Sequence, residues 1–384
     1  MVKTPKISKL ESVIEQIQTP SYVCEEALLE ENLKILSYVQ QESGAKILLA
    51  LKGFALQNTF YLIKRYLYGC TASGLHEAKL AREAFDKEVH TYSPAFKDSE
   101  IDEIIKISDH IVFNSFAQWQ KFKSKVFGHV SCGIRVNPET SLAPVALYDP
   151  CAKYSRLGVT KKAFKEELLE GLDGLHFHAL CEQNVDALEK VLEGFENAFG
   201  KYISRMKWVN FGGGHHITRE DYDIERLIRV IKNFKKRYND ITVYLEPGEA
   251  VGWQSGALVA SVLDIVENDM QIAILDTSAE AHMPDTLAMP YRAQIRGGEK
   301  PNEKAYTYRL AGNTCLAGDI IGDYSFDNPL KIGDKLIFED MMHYTIVKNT
   351  TFNGIKLPDL ALLTKDGDYK VLKHFGYEEY RRRN

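Results

Sequence analysis

Short apolar runs alternate with amphipathic segments from about residue 27 to residue 250. The segments between the runs, such as GLHEAKLAREAF and NVDALEKVLEGFENAF, carry apolar residues at three- and four-residue spacing, which is typical of helices. The eight candidate strands are ILLALK (47–52), GCTAS (69–73), VHTYS (89–93), HIVFN (110–114), VSCGIRVN (130–137), LHFHA (175–179), WVNFGGG (208–214) and ITVYLEPG (241–248). An open doubly wound sheet would show the same alternation, but eight units favour closure into a (β/α)8 TIM-like barrel over residues 27–250.

The pattern changes after about residue 255. Segments such as ALVASVLDIVEN, MQIAILDTS and YTYRLAGNTCLAGDIIGDYSF alternate β-branched and aromatic residues with Gly, Asp and Asn turns. We therefore expect a mostly β C-terminal domain over residues 251–384. The N-terminal segment, residues 1–26, has a short extended stretch and fits either domain; we group it with the β-rich one.

Composition narrows the class of protein. The chain of 384 residues is 45% hydrophobic and 26% charged with a net charge of -5, which gives no indication of nucleic-acid or membrane binding. No window reaches about 18 uninterrupted apolar residues, and the first twenty residues lack a secretory apolar core. The six cysteines are scattered without a CxxC pair, so we expect a reduced, cytoplasmic protein.

The first candidate strand ends with a charged side chain, Lys52. A lysine that must stay charged is costly to desolvate, whereas one that acts as a neutral amine or binds a carbonyl compound covalently suits such a place. From periodicity alone, Lys52 fits equally well a lysine that extends its amine to the surface.

Other polar groups and glycines follow the later strands, where barrel enzymes hold their working residues. His178 ends the sixth strand, Gly212 to Gly214 end the seventh, and Glu246 lies at the end of the eighth. Three glycines alone indicate a tight turn as readily as a phosphate site. Together with a strand-end lysine they suggest pyridoxal phosphate, and a carboxylate such as Glu246 facing its pyridine nitrogen would favour decarboxylation over racemisation.

At the level of motifs, the chain resembles the fold-type III pyridoxal-phosphate-dependent decarboxylases. The motifs ALKGF, HFHA, NFGGG, LEPGEA, CLAGD and YTIVKNTTFNG occur in the order of that family and cover nearly the whole chain. The resemblance implies a barrel plus a β domain, the cofactor pyridoxal 5'-phosphate, and a head-to-tail homodimer with shared active sites at the interface. HFHALCE, NFGGGHHIT, EPGEA and TCLAGD are most similar to members that act on carboxynorspermidine and carboxyspermidine.

The resemblance also assigns roles residue by residue. The catalytic group comprises Lys52 as the covalent cofactor lysine, His178 stacked on the cofactor ring, and Cys315 as the proton donor delivered from the neighbouring subunit. The cofactor-binding group adds Arg135 beside His178, Gly213 and Gly214 at the phosphate, Tyr344 also at the phosphate, and Glu246 at the pyridine nitrogen.

One position departs from the pattern of the diaminopimelate and ornithine enzymes, which have EPGR where this chain has EPGE. An arginine suits a distal carboxylate, whereas Glu249 suits an amine. Asp285, in HMPDTL, resembles an acidic residue of the substrate tail pocket, and Asp319 closes the cysteine motif. We therefore expect Glu249, Asp285 and Asp319 to bind a polyamine substrate.

Three alternatives stay open: a diaminopimelate or other basic amino-acid decarboxylase, an amino-acid racemase, and a non-catalytic pyridoxal-phosphate carrier. Position 249 offers no distal-carboxylate binder, CLAGD and Glu246 argue against a racemase, and carriers have the barrel alone. His215 and His216 suggest a metal site, but adjacent loop residues seldom bind one ion and no acidic partner has ligand spacing, so we expect none.

Overall fold

The computed structural model describes residues 6–143, 146–289 and 291–384. Its internal contacts divide the described chain into a barrel unit, Asn32–Val251, and a sheet unit formed by Gly252–Asn384 with the segment that ends at Glu31. The boundary falls within the first long helix, α1 (Glu26–Ser43), which follows strand β1 (Ser21–Glu25).

The barrel unit is a closed barrel of eight parallel strands, as the sequence predicted. The strands are β2 (Lys46–Ala50), β3 (Gly69–Ala72), β4 (Glu88–Tyr92), β5 (His110–Phe113), β6 (Ser131–Arg135), β7 (Gly174–His176), β8 (Trp208–Asn210) and β9 (Thr242–Leu245). All but β4 are shorter than the runs that predicted them, and β4 has the same length of five residues. The polar residues at the ends of those runs lie in loops.

Helices connect most of these strands. They are α2 (Phe60–Ile63), α3 (Leu75–Leu80), α4 (Ile101–Ile107), α5 (Phe116–Val126), α6 (Val185–Ile203), α7 (Ile224–Arg237) and α8 (Glu249–Gly252). The α7 helix shows why they form: Asp223 caps its N-terminus by accepting from the Arg226 amide, and its buried residues recur at helical spacing. The β6–β7 connection differs from the predicted strand–helix repeat, since its described residues form only 3₁₀ turns.

The sheet unit is an eight-stranded sheet with the order β13-β12-β11-β10-β1-β15-β16, and β14 pairs with β10. Its strands after β1 are β10 (Gly256–Glu267), β11 (Gln271–Leu275), β12 (Tyr306–Ala311), β13 (Ile320–Phe326), β14 (Lys335–Glu339), β15 (Asp359–Leu363) and β16 (Tyr369–Lys373). The helices are α9 (Ala279–His282), α10 (Asp285–Ala288) and α11 (Tyr377–Arg383). β1 lies between β10 and β15, so the N-terminal segment belongs to this sheet.

In the described parts of the chain, every helix is too short or too polar to cross a membrane.

The amino-terminal end of the barrel interior contains a buried polar cluster. The His90 and His110 rings are stacked 3.9 Å apart and almost parallel. Glu88 lies 2.8 Å from the His90 Nε2 atom and 3.6 Å from that of His110, and Lys46 lies 3.6 Å from Glu88. Burial, followed by the neighbouring His90, lowers the pKa of His110 to about 3, so His110 is neutral in the folded barrel at neutral pH.

This neutral histidine makes the stability of the barrel depend on pH. The unfolded chain protonates His110 below its ordinary pKa of about 6.5, whereas the folded chain resists protonation down to about 3. The stabilisation is therefore complete above about pH 6.5 and is lost as the pH falls, by roughly 2 kcal/mol at pH 5.

We predict that His110→Asn flattens the fall in the urea midpoint of unfolding between pH 7.5 and pH 5. His129→Asn, at an exposed histidine, is the control and should keep the parent's pH dependence. An unchanged pH dependence in His110→Asn would show that the buried ring does not titrate on unfolding.

Candidate active site at the carboxyl ends of the barrel strands

The sequence predicted Lys52 as the last residue of the first barrel strand. In the structure, Lys52 lies two residues beyond the end of β2. The chain turns there because the Gly53 and Phe54 amides both donate to the Ala50 carbonyl, at 3.0 and 3.2 Å. Although the Lys52 side chain is exposed, the protein atoms around it desolvate the amine. That desolvation, followed by the charge of Arg135, lowers the pKa of Lys52. A lower pKa increases the fraction of neutral, nucleophilic amine at neutral pH.

Glu246 directly follows β9 and is 6% exposed. Its Oε1 atom accepts a hydrogen bond from the Asn210 side chain at 2.7 Å, and its Oε2 atom lies 3.7 Å from the His176 Nε2 atom. Burial acts to raise the pKa of Glu246, but His176, His90, the Asn210 hydrogen bond and Lys52 outweigh it, so the pKa is lowered. The structure therefore holds an ionised carboxylate in a buried position.

Asn210 and His176 were not among the residues predicted from the sequence. Both end barrel strands, and His176 lies two positions before the predicted His178. Burial lowers the pKa of His176 to about 4 against the opposing charge of Glu246, so the ring is neutral at pH 7. The signal in the sequence was a polar residue at the end of an otherwise apolar strand, the same signal that identified Lys52.

His178 lies just past β7 and is fixed from two sides. The Gly213 amide donates to its Nδ1 atom at 3.2 Å, and the Arg135 guanidinium donates to its carbonyl oxygen at 3.1 Å. Arg135 itself lies 4.8 Å above the Tyr92 ring. Burial, followed by the charges of Lys52 and Arg135, holds the pKa of His178 well below its usual value. The site therefore presents a neutral imidazole in a fixed position.

The glycines after β8 form a tightly packed loop. Gly212 and Gly214 have φ values of +70° and +83°, a conformation that glycine tolerates best. A Cβ atom on Gly213 would lie 2.5 Å from the Glu246 carbonyl oxygen, and one on Gly214 would lie 2.1 Å from that of Leu180. This loop is a tight turn, one of the two possibilities that the sequence left open. Phosphate binding, the other possibility, stays a prediction.

His216 has an acidic neighbour, contrary to the sequence prediction that it has none with ligand spacing. Its Nε2 atom lies 3.2 Å from a carboxylate oxygen of Glu249, and one ligand atom each from Glu182, His216 and Glu249 lie within 4.8 Å of one another. Because loop folding and not sequence spacing brings these residues together, the motif alone did not reveal the cluster. The His90–His110 cluster has the right residue types for a metal, but its parallel rings direct their lone pairs side by side and not to one point.

The other predicted site residues lie in the sheet unit. Cys315 is exposed on the β12–β13 loop, and its amide donates to the Asn353 side chain at 2.6 Å. Asp285 pairs with Lys348 through both oxygens, at 2.7 and 2.8 Å. Tyr344 has a φ of +46° and its ring lies 5.2 Å from the Lys348 amine.

Asp319 has a structural environment that the sequence did not predict. It is 2% exposed, and its two oxygens accept from Ser278 at 2.9 Å, from the Ala279 amide at 2.7 Å and from the Thr314 hydroxyl at 2.6 Å. These bonds occupy the carboxylate, so the geometry favours a role in holding the loop over the predicted contact with substrate.

Comparison with known proteins places this chain in a family. A family model described as "Pyridoxal-dependent decarboxylase, C-terminal sheet domain" matches residues 21–342. The chain belongs to the pyridoxal-dependent decarboxylases, and the enzyme class and cofactor predicted from the motifs are confirmed.

Particular relatives extend this result. The chain is 57% identical over 381 residues to the carboxynorspermidine/carboxyspermidine decarboxylase of Campylobacter jejuni, with 96% of this chain and 99% of the relative covered. It is 44% identical to the carboxyaminopropylagmatine decarboxylase of Synechocystis, with 100% and 98% covered. A crystal structure of Campylobacter jejuni carboxynorspermidine decarboxylase complexed with norspermidine superposes with a TM-score of 0.90 at 55% identity, covering 96% of this chain and all (100%) of that one.

The barrel residues fit pyridoxal phosphate. Lys52 supplies an amine with a lowered pKa, Glu246 supplies a buried ionised carboxylate, and Gly213 and Gly214 form a loop without side chains, since a Cβ at either position would clash with a backbone carbonyl. A hydrogen bond to a charged group contributes roughly 1.5–3 kcal/mol, so the Asn210–Glu246 bond is a principal support of this arrangement.

We predict that Asn210→Leu raises the pKa of Glu246 and weakens pyridoxal phosphate binding by about 10-fold or more, because the carboxylate loses its donor. The matched control is Asn233→Leu, at an exposed asparagine of α7. Titration of each protein with the cofactor, followed by absorption, measures the dissociation constants. If the parent and Asn210→Leu bind pyridoxal phosphate with equal affinity, the Asn210–Glu246 hydrogen bond does not support cofactor binding.

Proposed function

We propose that this enzyme decarboxylates a carboxylated polyamine, converting carboxynorspermidine to norspermidine and carboxyspermidine to spermidine in polyamine biosynthesis. The observation that carries the proposal is the 57% identity, over nearly the full length of both chains, to a relative with that named activity. The relative whose structure contains norspermidine supports the same product class.

The barrel residues explain how this chemistry would proceed. Bound pyridoxal phosphate supplies an electron sink for the pair left on the substrate's α-carbon when CO2 departs. Lys52 would hold the cofactor covalently. Glu246 would keep the pyridine nitrogen protonated, and the neutral His178, fixed by Arg135, would lie against the ring. Gly213 and Gly214 would bind the phosphate, and the motif resemblance assigns a phosphate contact to Tyr344 as well.

The final step requires a proton on the α-carbon. We assign it to Cys315 of the neighbouring subunit in a homodimer: the S–H bond breaks, a C–H bond forms with the electron pair left by CO2, and solvent reprotonates the thiolate. General acid catalysis of this kind contributes roughly 10²–10⁴ in rate. Six free cysteines support a reducing compartment, and we place the protein in the cytoplasm without a nucleic-acid partner.

Substrate selection rests on carboxylates. Glu249 replaces the arginine of the EPGR motif, and we propose that it binds an ammonium group of the polyamine tail. Asp285 is a second candidate, and an incoming ammonium group would share or displace its partner Lys348. For Asp319 we retain a structural role, because its oxygens already accept hydrogen bonds within the sheet unit.

A second substrate has specific support. The Synechocystis relative is named for carboxyaminopropylagmatine, whose guanidinium end is also cationic, so Glu249 would tolerate it. A distal carboxylate, as in diaminopimelate, would be repelled by Glu249. The presence of the sheet unit argues against a non-catalytic carrier, because carriers have the barrel alone. Glu246 argues against a racemase, because a carboxylate at the pyridine nitrogen favours decarboxylation.

We predict that CO2 is released from carboxynorspermidine and carboxyspermidine but not from diaminopimelate. The panel also includes carboxyaminopropylagmatine, whose cationic end Glu249 would tolerate. Glu249→Gln should raise KM for the polyamines by roughly 10–100-fold, because a charge-assisted contact is lost, with cofactor affinity changed less than about twofold. Glu220→Gln, at an exposed acid of the barrel unit, is the control. Turnover of diaminopimelate alone would overturn the proposed substrate, and an unchanged KM in Glu249→Gln would overturn the role of that residue.

A further inference from the structure

The loop that carries Cys315 is closed at its base by a buried carboxylate. Asp319 accepts from the Thr314 hydroxyl inside the loop and from the Ala279 amide outside it. Gly312 completes the closure, since its amide donates to the Asp319 carbonyl at 2.9 Å and a Cβ there would lie 2.3 Å from the Asp319 carboxylate. The two ends of the loop are therefore fixed, but none of these bonds involves Cys315 itself.

The Cys315 backbone is held by a different segment. Its amide donates to the Oδ1 atom of Asn353 at 2.6 Å, across 38 residues of chain. Asn353 has φ and ψ of 56° and 12°, a left-handed conformation in which asparagine is among the few tolerated side chains. The Thr350 amide donates to the Ala281 carbonyl at 2.9 Å and anchors this segment next to α9, the helix that Asp319 also contacts. Asp319 and Asn353 thus hold the loop at two separate points, one at α9 and the other at the segment anchored next to α9.

We propose that Asn353 is a positioning residue for the Cys315 thiol. The proposal rests on the proposed function, in which that thiol returns a proton to the substrate's α-carbon. Fixing the amide of Cys315 fixes the direction of its Cα–Cβ bond, and so limits the positions that the sulfur can reach. Without this hydrogen bond the thiol samples more orientations, and fewer of them place its proton in line with the α-carbon.

Two consequences follow from this role. The first is kinetic: kcat falls while KM changes little, because the substrate tail is bound by other residues. The second is chemical: in some turnovers CO2 leaves but the proton would go to the cofactor's aldehyde-derived carbon and not to the α-carbon. Hydrolysis by water would then release an aldehyde and the aminated cofactor, pyridoxamine phosphate, in place of the polyamine, so more CO2 than polyamine is formed. A residue that only stabilised the fold would lower the melting temperature without changing the ratio of the two products.

The decisive variant is Asn353→Gly, which keeps the left-handed backbone accessible but removes the hydrogen-bond acceptor. Asn353→Asp retains an acceptor and should restore coupling. Asn302→Gly is the matched control, since Asn302 is an exposed asparagine of the same unit with a φ of +66°. Cys315→Ala supplies the limit in which the thiol is absent.

The experiment measures CO2 and polyamine in parallel on the holoenzyme, with iodoacetamide labelling of Cys315 resolved by peptide mass spectrometry. For Asn353→Gly we expect kcat to fall about 10–100-fold with KM within about twofold, and more than one CO2 per polyamine. We expect Cys315 to be alkylated about 2–10-fold faster, because the already exposed thiol, no longer fixed by Asn353, samples more orientations that the reagent can reach.

A ratio of one CO2 per polyamine, with unchanged alkylation in Asn353→Gly, would overturn the positioning role. The absence of CO2 from every substrate with the parent enzyme would instead overturn the proposed function. The alkylation rates do not depend on turnover, so they separate the two failures.

Discussion

The site depends on one electrostatic constraint: an amine must lose its proton readily while a carboxylate at the same end of the barrel must keep its charge. The barrel meets the first demand by desolvating the amine and the second by placing a few partners around a buried carboxylate. Desolvation and Arg135 lower the pKa of Lys52, and Glu246 remains ionised because Asn210 and the neighbouring groups outweigh the cost of burying it. Both residues follow strands whose carboxyl ends meet at one end of the barrel.

The sheet unit meets a different requirement, which is to hold an exposed thiol in a defined place. Cys315 is accessible, yet its loop is closed by the buried Asp319 and its amide is bound by Asn353. A buried carboxylate with several donors is rigid, because any displacement leaves a charged group without hydrogen bonds. The arrangement provides order without covering the thiol.

Much of this could be predicted from the sequence, and the limits have physical causes. The alternation of apolar runs with amphipathic segments predicted the barrel, because apolar runs indicate buried strands and amphipathic segments indicate helices with one buried face. It overestimated strand length, since an apolar run does not distinguish a hydrogen-bonded strand from the buried turn that follows. Lys52 and His178 were therefore correctly placed at strand ends but lie outside the strands themselves.

Residues whose role depends on contacts distant in sequence were harder to identify. Asn210 and His176 act through Glu246, and the pairing of His216 with Glu249 results from loop folding. Asp319 occurs in a recognisable motif, but only the structure shows its carboxylate occupied by the backbone and hydroxyl groups around it. The departure at Glu249 was visible at once, because it reverses the charge of a motif position.

The central claim is that Lys52 is the residue that holds pyridoxal phosphate. Borohydride reduction of the cofactor-loaded protein, followed by peptide mapping, tests it most directly. If Lys52 holds the cofactor, we expect a single modified peptide that contains Lys52, and no stable modification in Lys52→Met. Modification of a different lysine in the parent protein, or equal modification in Lys52→Met, would show that another residue holds it.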